Sequence, residues 1–201
     1  MNNAVLSFSG GLDSTSLLLD LLLRKTTIHL ITFDYGQKHK MEIKKAQANI
    51  KYLKENGYEK YIYHHLVDLS SIMSLFHSSL ISESMIIPEG HYKENNMRST
   101  VVPNRNAIFS SLVYGYALSK AKEYNCKFDI SLAVHKGDHE IYPDCRLEFY
   151  NLLHQAFKEG NWDSQLVDLY LPFIEIDKSK ILHLAHKNCD SLNLDFNTIM
   201  Y

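Results

Sequence analysis

Cysteine is sparse in this chain. The three that occur, Cys126, Cys145 and Cys189, stand far apart, and an odd, widely spaced set makes neither a disulfide framework nor a zinc cluster. Proline (4), glycine (8) and tryptophan (1) are also few. No Gly/Pro/Ser-rich linker, repeat or low-complexity tract divides the 201 residues, so a single domain over 1–201 is expected. No apolar run is long enough to cross a membrane. The first one is broken by Gly10, Gly11 and Asp13 and has no basic segment ahead of it, so neither a signal peptide nor a span is expected, and the expected compartment is a reducing cytoplasm. Neither sign of charge dominates. With Lys+Arg 21 against Asp+Glu 23, the net charge of −2 offers no basic field to nucleic acid. What is present is an ordinary globular composition, 45% hydrophobic, with frequent tyrosine (13) and scattered histidine (11).

The most informative stretch is V-L-S-F-S-G-G-L-D-S-T, residues 5–15. An apolar run, a double glycine and a leucine-rich helical segment follow one another there, which reads as strand, turn, helix. Adjacent glycines let the backbone approach a ligand and adopt positive φ. The free N–H groups and positive dipole end of the following helix favour an anion, above all phosphate. Asp13 stands where a carboxylate holds Mg²⁺ against phosphates, and Ser9, Ser14 and Thr15 add hydroxyls. The spacing is neither G-x-x-x-x-G-K-[ST] nor G-x-G-x-x-G, which disfavours a Walker NTPase and a dinucleotide dehydrogenase. It resembles the S-G-G-x-D-S loop of the ATP-pyrophosphatase (PP-loop) superfamily, whose members cleave ATP between the α- and β-phosphates.

Further strands are expected over 28–33, 61–66, 128–134 and 168–173, after the first at 3–8. Helices are expected over 12–23, 40–56, 106–122, 145–158 and 178–187, with a short one within 69–76. The alternation predicts an α/β fold, a parallel doubly wound five-stranded sheet with flanking helices. The polar segment 78–100 reads as a long loop and 189–201 as irregular. Asn104 or Asn106 is a candidate cap for the long helix, and Asp177 for the last one.

Chemistry-bearing residues cluster after the strands, where open parallel sheets bind ligands. Asp34-Tyr35-Gly36-Gln37-Lys38-His39 leaves the second strand, with backbone near Phe33 placed for adenine and Gln37 and His39 for the other substrate or phosphates. V-P-N-R-N, residues 102–106, puts Arg105 at a helix start, where the dipole disfavours a cation unless it meets an anion. V-H-K-G-D and Y-P-D-C-R gather His135, Asp138, Tyr142, Asp144, Cys145 and Arg146 within a short span. Carboxylates there accept from a guanine-like edge, and Arg146 suits a carboxylate or phosphate. Cys145 is open to two readings, contact residue or nucleophile. Lys178, also at a helix start, suits phosphate.

Taken in order, S-G-G-L-D-S-T, F-D-Y-G-Q-K-H, V-P-N-R-N, V-H-K-G-D with Y-P-D-C-R, and L-P-F…D-K-S-K-I resemble the 7-cyano-7-deazaguanine synthase family of the queuosine pathway. The resemblance implies an adenine nucleotide alpha hydrolase-like fold and a C–N bond-forming ligase. Such an enzyme adenylates 7-carboxy-7-deazaguanine with ATP, displaces AMP with ammonia, then activates the amide with a second ATP to leave the nitrile. It implies ATP at Phe8, Ser9, Gly10, Gly11, Leu12, Asp13, Ser14, Thr15, Ser16, Leu17, Leu18 and Phe33. Asp13 would assist Mg²⁺, with Lys178, Arg105 and Cys145 beside it as catalytic candidates. Gln37, His39, Asn104, Arg105, His135, Asp138, Tyr142, Asp144 and Arg146 would line the deazaguanine side. A homodimer is implied. The family usually has Gly where Ala133 stands, and it ends in a four-cysteine zinc site containing C-x-x-C. Cys189 alone cannot supply the roughly four ligands structural zinc needs, so no zinc ligand is assigned and the chain is expected to lack that tail. Two other functions fit the same motifs: transfer of the adenylated carboxylate to a protein or nucleic-acid amine, and a degenerate nucleotide-binding module.

Overall fold

The computed structural model describes residues 3–37, 41–78, 101–139 and 142–200. The chain runs β1 (Asn3–Ser7), α1 (Leu12–Leu23), β2 (Ile28–Asp34), α2 (Met41–Leu53), β3 (Ile62–Asp68), α3 (Ser70–Met73), α4 (Arg105–Tyr124) and β4 (Phe128–Ser131). It continues through α5 (Lys136–His139), α6 (Leu147–Gly160), β5 (Val167–Tyr170), α7 (Lys178–Leu192) and α8 (Phe196–Met200). The described strands form a five-stranded parallel sheet, as the alternation of elements predicts, in the order β3-β2-β1-β4-β5. No described helix is long and apolar enough to cross a membrane.

Period-2 alternation along the strands sorts their side chains onto two faces. Ala4, Leu6 and Phe8 join Ile28 and Leu30 under the α1 leucines and Ile181 and Ala185 of α7. Val5, Ile31, Phe33, Phe128 and Ile130 face the other way, onto Val113 and Ala117 of α4. Both faces of the central strands are thus covered, which is why they read as continuous apolar runs. Each fully buried Leu or Ile contributes about 1.5–3 kcal/mol.

Boundaries shift where local chemistry intervenes. Gly57, at φ 92, ends the second long helix in a turn over Lys54–Tyr58. Strand β4 stops at Ser131 and β5 at Tyr170, two residues before Pro172, which has no N–H to donate. Segment 189–201 is not irregular as far as residue 200. Helix α7 continues to Leu192, Asn193 closes it in the left-handed region at φ 54, and Asp195 restarts the chain by accepting the Thr198 N–H. Asn-Leu-Asp is therefore punctuation between two helices. Asn104 occupies the cap position of α4 at φ 59 but makes no side-chain cap bond, so the expected Asn cap is positional only. Asp177 does cap α7, accepting the Lys180 N–H at 2.9 Å. The loop expected over 78–100 lies, but for Ser78, outside the described residues.

One buried group makes this fold acid-sensitive. His29 on β2 is 2% exposed, stacks on Tyr63 at 4.9 Å, and shares the Tyr116 hydroxyl with His65, each nitrogen 2.8 Å away. Burial, with His65 and Lys120 nearby, pulls its pKa from 6.5 down to about 4. A histidine depressed in the folded state stabilises fully above its unfolded value and loses that contribution as pH falls towards 4. Thermal or urea melts should show about 2 kcal/mol lost between pH 6.5 and 4.5, and His29→Phe should flatten that dependence. An unchanged slope in the variant would remove His29 as its cause.

Candidate active site

The chain leaves β1 into a turn that only glycine satisfies. Gly10 adopts φ +77, and a Cβ there would lie 2.4 Å from the Ala46 nitrogen and 2.7 Å from its Cα. Gly11 then serves as N-cap of α1 with no side-chain cap bond. The first turn of α1 opens towards the loop, with Asp13 as its acidic residue. Around it, Ser9 Oγ accepts the Gly11 N–H at 3.2 Å and lies 3.1 Å from Ser14 Oγ, which donates to Gly11 O. Backbone donors, hydroxyls and a helix N-terminus converge as an anion cradle requires.

Three further elements bring charge to this cradle. Strand β1 neighbours β2 on one side and β4 on the other, so the loops after β1 and β4 flank the crevice where strand order reverses. From the β4 loop comes His135, 6% exposed, its Nδ1 accepting the Gly137 N–H at 3.0 Å. A Cβ on Gly137 would lie 2.9 Å from the imidazole Cε1, so the glycine permits this close approach. With Nδ1 as acceptor, Nε2 carries the proton and presents it to Asp138 at 3.5 Å and Asp13 at 3.8 Å. Lys178, the first residue of α7, reaches the same Asp13 oxygen at 3.8 Å. The other oxygen, Asp13 Oδ1, is buried without a hydrogen-bond partner. Burial raises the Asp13 pKa, against the lowering effect of Lys178 and His135. A desolvated carboxylate with one idle oxygen is suited to a cation held on phosphates.

Beside this cluster lies a second recess, about 70 Å³, lined by Val101, Val102, Arg105, Asn106, Tyr142, Asp144 and Cys145. The two are continuous through the backbone, where Tyr142 N donates to Asp138 O at 2.8 Å. Asn106 braces the recess, donating to Asp144 O at 3.5 Å and Cys145 Sγ at 3.6 Å. The Arg105 guanidinium lies 5.9 Å over the Tyr35 ring. Burial, with Asp144 and Asp138 alongside, pushes the Cys145 thiol up to about 12. The thiol is therefore neutral in this arrangement.

The residues singled out in the sequence are distributed over these two sites and the core behind them. Ser9, Gly10, Gly11, Leu12, Asp13 and Ser14 form the cradle, and Thr15, Ser16, Leu17, Leu18 and Phe8 are buried behind it. Phe33 stacks on Phe109 at 4.3 Å. Gln37 is buried and turned into its own loop, accepting the Tyr35 N–H and facing Phe33 O. Asn104 and Arg146 are exposed. His39 lies outside the described residues. Asn106 and Tyr35 were not singled out as ligand-facing. Their signal was their place inside V-P-N-R-N and F-D-Y-G-Q, where Asn106 read equally well as a helix cap. Among the described residues no group of three or more His, Cys, Asp or Glu is arranged to hold a metal, and the three cysteines are free.

The family model for Queuosine biosynthesis protein QueC matches residues 3–198. The chain belongs to this family. It is 42% identical over 178 residues to a 7-cyano-7-deazaguanine synthase of Methanoregula boonei, covering 89% of this chain and 76% of that protein. It is 38% identical over 198 residues to 7-cyano-7-deazaguanine synthase 2 of Colwellia psychrerythraea, covering 98% and 82%. Among solved structures, the NMN synthetase of Francisella tularensis superposes with a TM-score of 0.54 at 14% identity, covering 100% of this chain and 65% of that one. At that identity the likeness concerns the fold alone. In this chain S-G-G-L-D-S-T falls on the cradle, V-H-K-G-D and Lys178 on the Asp13–His135 cluster, and V-P-N-R-N with Y-P-D-C-R on the recess beside it.

Proposed function

We propose that this QueC-family chain converts 7-carboxy-7-deazaguanine and ammonia to 7-cyano-7-deazaguanine with ATP. The observation that carries the reading is that His135 lies between Asp13 of the cradle and Asp138, whose carbonyl accepts the N–H of Tyr142 in the recess lining; this supports a nucleotide and an acid bound next to each other. The names of the related synthases give the product, 7-cyano-7-deazaguanine, and support a 7-deazaguanine as substrate.

The cradle takes the triphosphate on the N–H groups of α1, and Lys178 swings from Asp13 to the phosphates. Asp13, with its idle oxygen, would hold Mg²⁺, and the ion would supply positive charge to the phosphates. A carboxylate oxygen of the acid attacks the α-phosphorus, the bond to the β-phosphate breaks, and pyrophosphate leaves. Ammonia adds to the resulting acyl adenylate, AMP leaves and a proton is lost, giving the amide. The amide oxygen attacks a second ATP in the same way; loss of AMP and the remaining N–H protons leaves the nitrile. The protein contributes alignment and fixed charge throughout. Arg105 faces the acid, and Asp138 and Asp144 suit the N–H edge of the deazaguanine.

The test is mass spectrometry of the products formed from ATP, ammonia and the acid. Two AMP and two pyrophosphate per nitrile are expected. Formation of ADP, or no AMP with the acid present, would refute the reading. The neutral thiol makes a second prediction. Cys145→Ser should retain at least about a tenth of wild-type kcat/KM, because a buried thiol pushed up to about 12 serves as wall and not as nucleophile. Complete loss of turnover in a folded Cys145→Ser would instead assign it a covalent role.

A further inference from the structure

The carbonyl of Phe8 is the last polar group of the chain before the cradle begins at Ser9. It accepts the hydroxyl proton of Thr32, on the neighbouring strand β2, at 2.7 Å in a fully buried bond. Thr32 is itself 2% exposed. His64 of β3 places Nε2 3.0 Å from the same hydroxyl oxygen. The hydroxyl has one proton, and a carbonyl cannot donate, so that proton belongs to Phe8 O. His64 must then give its Nε2–H to Thr32. A directional relay results, His64 to Thr32 to Phe8, running from the sheet edge across two strands to the root of the loop. None of its three residues is among those that line the recess or pair with Asp13.

Helix α2 also closes on the loop. Asn49, 3% exposed, donates to Thr15 Oγ1 at 3.2 Å, and Ala46 packs against Gly10. The loop is therefore fixed sterically through Gly10 and by hydrogen bonding through Phe8 and Thr15. A peptide plane tethered at its carbonyl is also fixed in the direction of its N–H, and the Phe8–Ser9 plane sets the start of the turn whose N–H groups face phosphate.

We infer that Thr32 is a positioning residue for ATP: its hydroxyl, oriented by His64, fixes the Phe8–Ser9 peptide and so aims the cradle. This rests on the reading of the cradle as the ATP site. Thr32→Val keeps the shape and removes the hydroxyl, and Thr32→Ser keeps the hydroxyl. Removing one partner of a buried bond leaves Phe8 O unsatisfied, so Thr32→Val should raise both the Kd for ATP and its KM about ten-fold, with kcat changed less. Thr32→Ser should recover to within about two-fold of wild type, since it restores the donor.

The experiment measures ATP binding by calorimetry, steady-state AMP release and Tm on the same preparations. A Thr32→Val that melts earlier yet binds ATP like wild type would show a purely structural threonine and overturn the inference. So would a Thr32→Ser as defective as Thr32→Val, which would assign the effect to the methyl group. If Thr32→Val does not fold, His64→Phe tests the same relay. That variant should raise the Kd for ATP about three-fold by freeing the Thr32 hydroxyl, and an unchanged Kd would overturn the inference. Wild-type protein that fails to bind ATP at all would instead count against the reading of the site.

Discussion

Asp13→Asn should lower kcat/KM by about 100- to 1,000-fold while leaving the protein as stable as wild type or more so. The two halves of this expectation come from the same geometry. Asp13 Oδ2 is 3.8 Å from both Lys178 and His135, distances of charge attraction and not of close hydrogen bonds. Oδ1 is buried with no partner. Burial is the foremost influence on this carboxyl and raises its pKa. A raised acid is a destabilising charge at neutral pH: its contribution to folding worsens as pH climbs through the folded pKa. Neutralising it with an isosteric amide removes that penalty. The same change removes the only carboxylate in the first turn of α1, which both draws in Lys178 and would hold a cation on the phosphates. Side-by-side melts and AMP-release assays settle the matter. Undiminished turnover would dismiss the role of Asp13, and a Tm several degrees below wild type would show that its charge supports the fold.

How much of this was legible in the sequence depended on whether a residue's role was local. The loop and α1 were readable because glycine, serine and an apolar helix act through their own backbone neighbourhood. Helix α1 spans the residues expected of it, Leu12–Leu23, and the parallel sheet follows from alternation, though its strand order does not. Roles set by distant partners were not readable. Thr32 and His64 sit in two different strands, β2 and β3, which read only as strands in the sequence, and their relay exists because β1, β2 and β3 are adjacent. Asn106 has the signature of a cap until the 3₁₀ turn at Pro143–Cys145 is set against it. Gln37 has the signature of a ligand residue, yet its amide closes its own loop, because a short polar segment after a strand must satisfy its backbone somewhere. The C-terminal segment misled for the opposite reason. Its polar residues resemble a frayed end, but they cap α7 and start α8, which buries Ile199 and Met200. Tyr58 and Lys45 hold that segment by bonds to Leu192 O and Met200 O, each 2.8 Å.

The cradle's dependence on a left-handed turn leads to the other large effect. Gly10→Ala should cost about 3 kcal/mol or more of stability, of which about 1–2 kcal/mol comes from φ +77 alone. The remainder is steric. A Cβ placed 2.4 Å from the Ala46 nitrogen meets backbone, not a mobile side-chain end, so α2 or the loop must move. Movement of α2 also carries Asn49 away from Thr15, so the strain reaches the first turn of α1. For a chain of this size the melting temperature should fall by about 10 °C, and ATP affinity should fall by at least about 100-fold in whatever fraction remains folded. Gly11→Ala is the informative contrast. Gly11 has φ −72, which any residue adopts, and its Cβ would meet only Ser9 Oγ at 3.3 Å, the end of a side chain that can rotate. That variant should fold with a Tm within a few degrees of wild type and lose nucleotide affinity, because the added methyl group occupies the space into which the helix amides point. If Gly10→Ala melted like wild type, the contact between α2 and the loop would not be what shapes the cradle. If Gly11→Ala bound ATP as tightly as wild type, phosphate would not lie against this helix end.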